Sequence, residues 1–181
     1  MLQTGVGTFD LATIPVAVIR NDASRHGAAA VVVHFATKRG DAPLGRLDSL
    51  PVNMAPGETL PVAADCTDAC VSATATDATV SVGAWLAKPG QSLTGGGAAY
   101  ACGACRSGHD HADVTGTLSA AALSQGAAVA AFAACHAADG GIVGGGFREL
   151  VWPGGTTLSI DVPVLVNSAP ANCELGASTR W

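Results

Sequence analysis

Residues 101–114, ACGACRSGHDHADV, hold the side chains in this chain best suited to chemistry. Cys102 and Cys105 form a C-x2-C pair, and His109 and His111 follow. Zinc takes four ligands, and two thiolates with two imidazoles are an accepted set. Here all four fall within about ten residues, and the histidines are closer together than the second ligand pair of such sites usually is. Asp110 and Asp113 add oxygen donors, so an adventitious zinc or copper site is the metal alternative. The competing reading is a small disulfide loop followed by two solvent-facing histidines. A redox role for the thiol pair would need a βαβ setting, which the surrounding pattern does not offer.

The other cysteines decide between these readings. Six cysteines, an even number, point to an oxidising, extracytoplasmic compartment (secreted or cell surface), where a close thiol pair oxidises. Proximity predicts the pairs Cys66–Cys70, Cys102–Cys105 and Cys135–Cys173. Only the last closes a long loop, for which chain entropy gives roughly 4 kcal/mol, against about 2 or less for the tight rings. The disulfide reading is therefore preferred at Cys102, and no metal or other cofactor is expected.

Other candidates carry a bland alternative each. Arg39, Gly40 and Asp41 resemble an adhesion tripeptide, but Gly-Asp is also ordinary turn chemistry. His34 and His136 border apolar runs and read as strand residues with solvent-facing rings. No Ser-His-Asp set is legible, because no nucleophile elbow accompanies either histidine. The Gly140–Phe147 run, GGIVGGGF, lacks the lysine and the strand-to-helix setting of a phosphate loop, so its glycines read as turns or bulges. Trp85 reads as a core plug at the end of a sandwich, as would Trp181 near its own strand end. Trp152, beside Pro153, is open between core and surface anchor.

The elements that would position these groups are strands. Thr13–Ile19 and Ala30–Thr37 are rich in β-branched residues, and Leu158, Ile160, Val162 and Val164 alternate with polar neighbours. Pro56-Gly57 and Pro153-Gly154 mark turns before such stretches. Residues 119–141 are Ala-rich and would form a helix by propensity alone. An internal similarity argues for strand instead. Gly27–Asp41 with Asn53–Val62 recurs as Gly126–Asp139 with Leu150–Ile160, about 97 to 99 residues later. The expected architecture is all-β: two tandem antiparallel sandwiches at 8–87 and 98–181, disulfide-bridged, with 88–97 as a linker.

The turn-and-strand pattern in Asp139–Val162, matched in Gly40–Val62, resembles the small Ig-like domains of bacterial secreted proteins and lipoproteins of the FxLYD sort. The resemblance implies an envelope or extracellular module with no catalytic residues to carry over.

Composition narrows the function classes. The net charge is −5, and Lys appears only twice, so nucleic acid and anionic membrane are poor partners. The longest apolar run, Ala127–Cys135, is far short of the roughly 18 residues that span a bilayer. The N-terminus lacks the basic start and unbroken apolar core of a signal peptide, and reads as a mature domain. With few aromatics the core must be thin. The expected function is thus a non-catalytic binding or structural module. It would take a protein or envelope partner, or associate with itself through sheet edges. The alternatives are a metal-handling protein using Cys102, Cys105, His109 and His111, and an enzyme whose site is not legible.

Overall fold

The computed structural model describes residues 1–9, 12–66, 70–87, 93–102 and 110–180, without the side chains of Asp110 and His111. Every regular element among them is a strand. These are β1 (Gln3–Phe9), β2 (Ala12–Arg20), β3 (Gly27–Arg39), β4 (Ala42–Asp48), β5 (Val52–Met54), β6 (Thr59–Ala63) and β7 (Ala75–Leu86). They continue as β8 (Leu93–Ala101), β9 (Asp110–Ala120), β10 (Ala128–His136), β11 (Ile142–Val151), β12 (Thr157–Val166) and β13 (Asn172–Thr179). No helix among the described residues is long and apolar enough to cross a membrane.

The first seven strands make two open sheets. One has the order β1-β2-β6; in the other, β3 pairs with β4 and β5 along one edge and with β7 along the opposite edge. The last six strands close into a barrel of order β10-β11-β12-β9-β8-β13. The ladders of the two halves correspond: β1-β2-β6 has the pairing order of β8-β9-β12, and β4-β3-β7 that of β11-β10-β13. Two further contacts close the second set. Gly144 and Gly145 pair with Val166 and Leu165, and Gly176 and Ala177 pair with Thr94 and Leu93. Leu93–Gly97, whose composition reads as linker, thus lies within β8 of the barrel, while residues 88–92 fall outside the described ones.

The Ala-rich stretch is a strand, and its burial explains the composition. The chain turns at Gly126, and β10 then runs between two cores. Ala130, Phe132 and Ala134 face the first, with Val16, Ile19, Val33, Phe35 and Leu60. Val129, Ala131, Ala133 and Cys135 face the barrel interior, with Val114, Leu118, Trp152 and Val162. A strand covered on both faces reads as an unbroken apolar run, with no alternation. β2 is buried on both faces for the same reason, since it lies between β3 and the barrel wall. In contrast, β12 keeps the expected alternation, with Ile160, Val162 and Val164 buried and Ser159 and Asp161 exposed.

The glycine run serves a turn and a bulge, with Gly140 at φ +86° between β10 and β11 and a register shift beside Gly144, and it also serves close approach. At Gly146 a Cβ would collide with the Pro163 carbonyl, and at Gly7 with the Leu165 carbonyl, so β1, β11 and β12 stack almost backbone to backbone. Polar pins hold the halves together. Asn167 donates to the Val6 carbonyl at 2.7 Å and accepts from the Thr8 hydroxyl at 2.7 Å. The buried Ser178 hydroxyl accepts from the Asn53 N–H at 2.7 Å.

Two predicted bridges are present, Cys66–Cys70 and Cys135–Cys173. The second joins register partners on the adjacent strands β10 and β13, with Cα atoms 4.0 Å apart. It therefore staples two strands of one sheet and does not tie two sheets together.

Candidate functional site

The first half leaves open what the second half closes. Among the described residues β7 pairs only with β3, whereas its counterpart β13 pairs with both β10 and β8. Strand β1 reaches β7 at one end, where the Thr4 hydroxyl donates to the Thr76 carbonyl at 3.1 Å. Thr76 and Ala78 are buried there, but from Thr79 onward β7 is exposed or half-buried.

A backbone switch makes that exposed segment apolar. Along β3 the residues that join the first core are Val31, Val33 and Phe35, and on the other side of Ala30 it is Ala28 that joins them, while Ala29 is buried outside that cluster. Ala30 has φ +50°, a left-handed conformation that costs an L-residue energy and shifts which side chains face inward. Its N–H is held by the Asn53 side chain at 3.2 Å. Gly83 lies across from it, where a Cβ would press on the Ala30 Cβ. The strand register then aligns Trp85 with Ala28, as Val82 is aligned with Val31 and Val80 with Val33. Val80, Val82 and Trp85 consequently share one face. With Met1, Ile19 and Met54 they line a groove of about 330 Å³, whose rim carries Arg20 and Asp22. Trp85 is 58% exposed and Val80 39%. The core-plug expectation for Trp85 is corrected: the Ala30 switch turns it toward a sheet face that no strand among the described residues covers. Trp152 is the core residue, wholly buried, with its indole N–H on the Gly155 carbonyl at 3.2 Å. Trp181 lies outside the described residues.

Charge does not protect this edge. The ionisable group on β7, Asp77, is ion-paired with Lys38, and Thr79–Leu86 contains neither charge nor proline. Exposed edge strands normally carry such residues to discourage pairing.

The Cys102–His111 stretch lies on the other half, between β8 and β9. Cys105 and His109 are outside the described residues, as is the His111 side chain. Cys102 itself is held in a disulfide. A sulfur so bonded has no thiolate to offer zinc. Among the described residues, no three His, Cys, Asp or Glu side chains gather as a metal would require.

The Arg39-Gly40-Asp41 tripeptide occupies the exposed β3–β4 turn, as its composition predicts. Its guanidinium is turned back onto the Val71 and Ser72 carbonyls, at 2.9 and 3.3 Å. His136 is mostly buried, with Nδ1 3.2 Å from the Gly140 carbonyl and Nε2 3.0 Å from Glu174. A second cleft, of about 360 Å³, separates the β5–β6 turn from β8 and β13. Glu58 lines it, and burial raises its pKa above the ordinary carboxylate value, partly offset by the hydrogen bond from the Ala55 N–H.

One constellation was not legible in sequence. On the outer face of the β4-β3-β7 sheet, His34 Nδ1 lies 2.6 Å from Asp48 Oδ1, and Nε2 lies 2.8 Å from Ser81 Oγ. Three strands contribute one residue each, and only the β3–β4 and β3–β7 registers bring them together.

No protein-family model matches the chain. No curated protein matches it either. Two solved structures of glycosyl hydrolase family 2 members share part of its course, one from Bacteroides cellulosilyticus and one from Bacteroides cellulosilyticus DSM 14838. Both are 9% identical; the first has a TM-score of 0.35 over 88% of this chain, the second 0.34 over 87%. The chain spans only 23% and 24% of their lengths. At that level of likeness no activity passes to this protein.

Proposed function

We propose that this chain is a bacterial extracytoplasmic module of two tandem Ig-like repeats of the FxLYD sort, the second closed into a barrel, that pairs with a second copy of itself through β7. The observation that carries the pairing is the uncovered Val80-Val82-Trp85 face on an edge strand free of charge and proline from Thr79 to Leu86. The matching ladder order of the two halves supports the tandem reading. The bridges Cys66–Cys70 and Cys135–Cys173 support an oxidising compartment.

A second copy fits this edge by its own sequence. Antiparallel pairing of the two β7 edges about a two-fold axis brings Val80 of each copy beside Trp85 of the other. Both side chains lie on the groove face, and aromatic with β-branched is a favourable cross-strand pair. The contact is isologous, so it closes at a dimer. The net charge of −5 resides elsewhere on the chain, so the edge itself carries no repulsion.

Sedimentation velocity over a micromolar concentration series tests this. The wild type should pass from monomer to dimer, and Val80→Lys should remain monomeric with an unchanged circular dichroism spectrum. A wild type that stays monomeric throughout overturns the pairing. A monomer that instead takes up an extended peptide along β7 replaces the second copy by a partner's strand.

A further inference from the structure

Ser81, His34 and Asp48 form a linear relay on the face of the sheet opposite the groove. The Asp48 carboxylate only accepts, so the His34 Nδ1 at 2.6 Å carries a proton and donates it. In the neutral ring this leaves Nε2 as an acceptor, and the Ser81 hydroxyl donates to it at 2.8 Å. That is the order of roles that activates a serine: a nucleophile on a base, and the base oriented by a carboxylate. The strand registers hold the three backbones in place, and Ser81 is exposed to solvent.

We infer that Ser81 is an activated nucleophile that accepts acyl groups from reactive carboxylic esters, with His34 as general base and Asp48 as its positioning residue. Ser81 Oγ attacks the ester carbonyl carbon as its proton passes to His34 Nε2. The new Oγ–C bond stays, the bond from carbon to the alcohol oxygen breaks, and the departing oxygen takes the proton from His34. Water then attacks the acyl-serine by the same route, with His34 again as base, and releases the carboxylic acid. Ser81 stands on an exposed strand face, so the developing oxyanion is met by water and not by a converging pair of backbone N–H donors. Loss of one such donor from an enzyme costs about 10²–10³ in rate. The substrate class is therefore esters with good leaving groups, and the acyl-serine should accumulate.

The test uses the full chain and p-nitrophenyl acetate. The chain has only two lysines, so background acetylation is low. Peptide mass spectrometry should find one acetyl group on Ser81, formed with a burst of nitrophenolate. Ser81→Ala and His34→Gln should abolish both adduct and burst. Asp48→Asn should slow acylation at least tenfold, and Asp48→Glu should restore part of it. Circular dichroism should show all four variants folded, since the three side chains lie on the surface. Absence of acetyl from Ser81, or acetylation of Ser81 that persists undiminished in His34→Gln, overturns the inference.

Discussion

Replacement of Trp85 by alanine gives the sharpest test of the β7 edge. An aromatic side chain of this size buries about 150–250 Å² when covered. Trp85 is 58% exposed, so a strand laid beside it removes on the order of 120 Å² from water. At roughly 25 cal/mol per Å² that is about 3 kcal/mol for each copy. A two-fold contact counts the residue twice, but ordering both side chains costs about 0.5–1.5 kcal/mol each. The expected net loss is about 3–5 kcal/mol, a weakening of the dimer by roughly two to three and a half powers of ten. The assay is equilibrium sedimentation of wild type and Trp85→Ala at matched concentrations, with urea melts of both at a dilution where each is monomeric. The monomer should be affected little, because most of the side chain already faces solvent. Two outcomes refute the reasoning: a dimer weakened less than about threefold, or a monomer destabilised as much as the dimer. The second would mean that Trp85 packs within its own chain.

Further predictions follow from the fold. Cys135→Ala with Cys173→Ala should lower unfolding free energy by about 4 kcal/mol, and the Cys66, Cys70 double variant by about 2, because the closed loops differ in length; urea melts compare them. Gly146→Ala should destabilise the barrel by at least about 1–3 kcal/mol, since the new Cβ meets the Pro163 backbone and not a flexible side chain; a thermal melt close to wild type would count against the close stacking of β11 on β12. Burial raises the Glu58 pKa in the folded chain, so the fold holds that proton more tightly than the unfolded chain does. The resulting stability is fully present below the unfolded carboxylate value and is lost as pH rises through the folded one. Glu58→Gln should remove that slope, and identical slopes in variant and wild type across the acid range would refute the assignment.

Sequence showed the strands far better than the site. Alternation in Leu158–Val164 and the β-branched run Val31–Val33 report local burial directly, and both became strands as expected. The Ala-rich stretch was ambiguous because β10 is covered on both faces, and its counterpart in the first half settled the choice. Barrel closure was not legible. It depends on a few ladder contacts at Gly144–Gly145 and Leu93–Thr94, where linker composition and strand coincide. Trp85 was misread because alternation alone cannot register the left-handed Ala30, an alanine with nothing in its side chain to announce it. The His34 relay was hidden for a related reason. Its members are 14 and 47 residues from His34, and no local signature links positions that only strand register aligns.

The difference between the two halves is itself a physical consequence of strand length. In the barrel, β13 is 8 residues long and β8 is 9, and the two meet at Gly176–Thr94. Gly95 lets this happen, because a Cβ there would strike the Leu175 backbone. In the first half, β7 has 12 residues and β1 only 7, and their contact is spent at Thr4–Thr76. The overhang of β7 must either carry polar residues on both faces or find a partner. Its outer face does the first, with Asp77, Thr79 and Ser81; its inner face, with Val80, Val82 and Trp85, does not. The Ala30–Gly83 switch sharpens the contrast, since unbroken alternation from Val82 would have turned Trp85 to the outer, polar side. Ala30→Gly on β3 tests that step. Glycine accepts the left-handed φ without strain, so the fold should be stabilised or unchanged and Trp85 should stay in the groove. Ala30→Val should disfavour that φ and weaken the dimer along with the Trp85 fluorescence signature of the groove. If dimerisation is indifferent to both substitutions, the switch is not what presents Trp85.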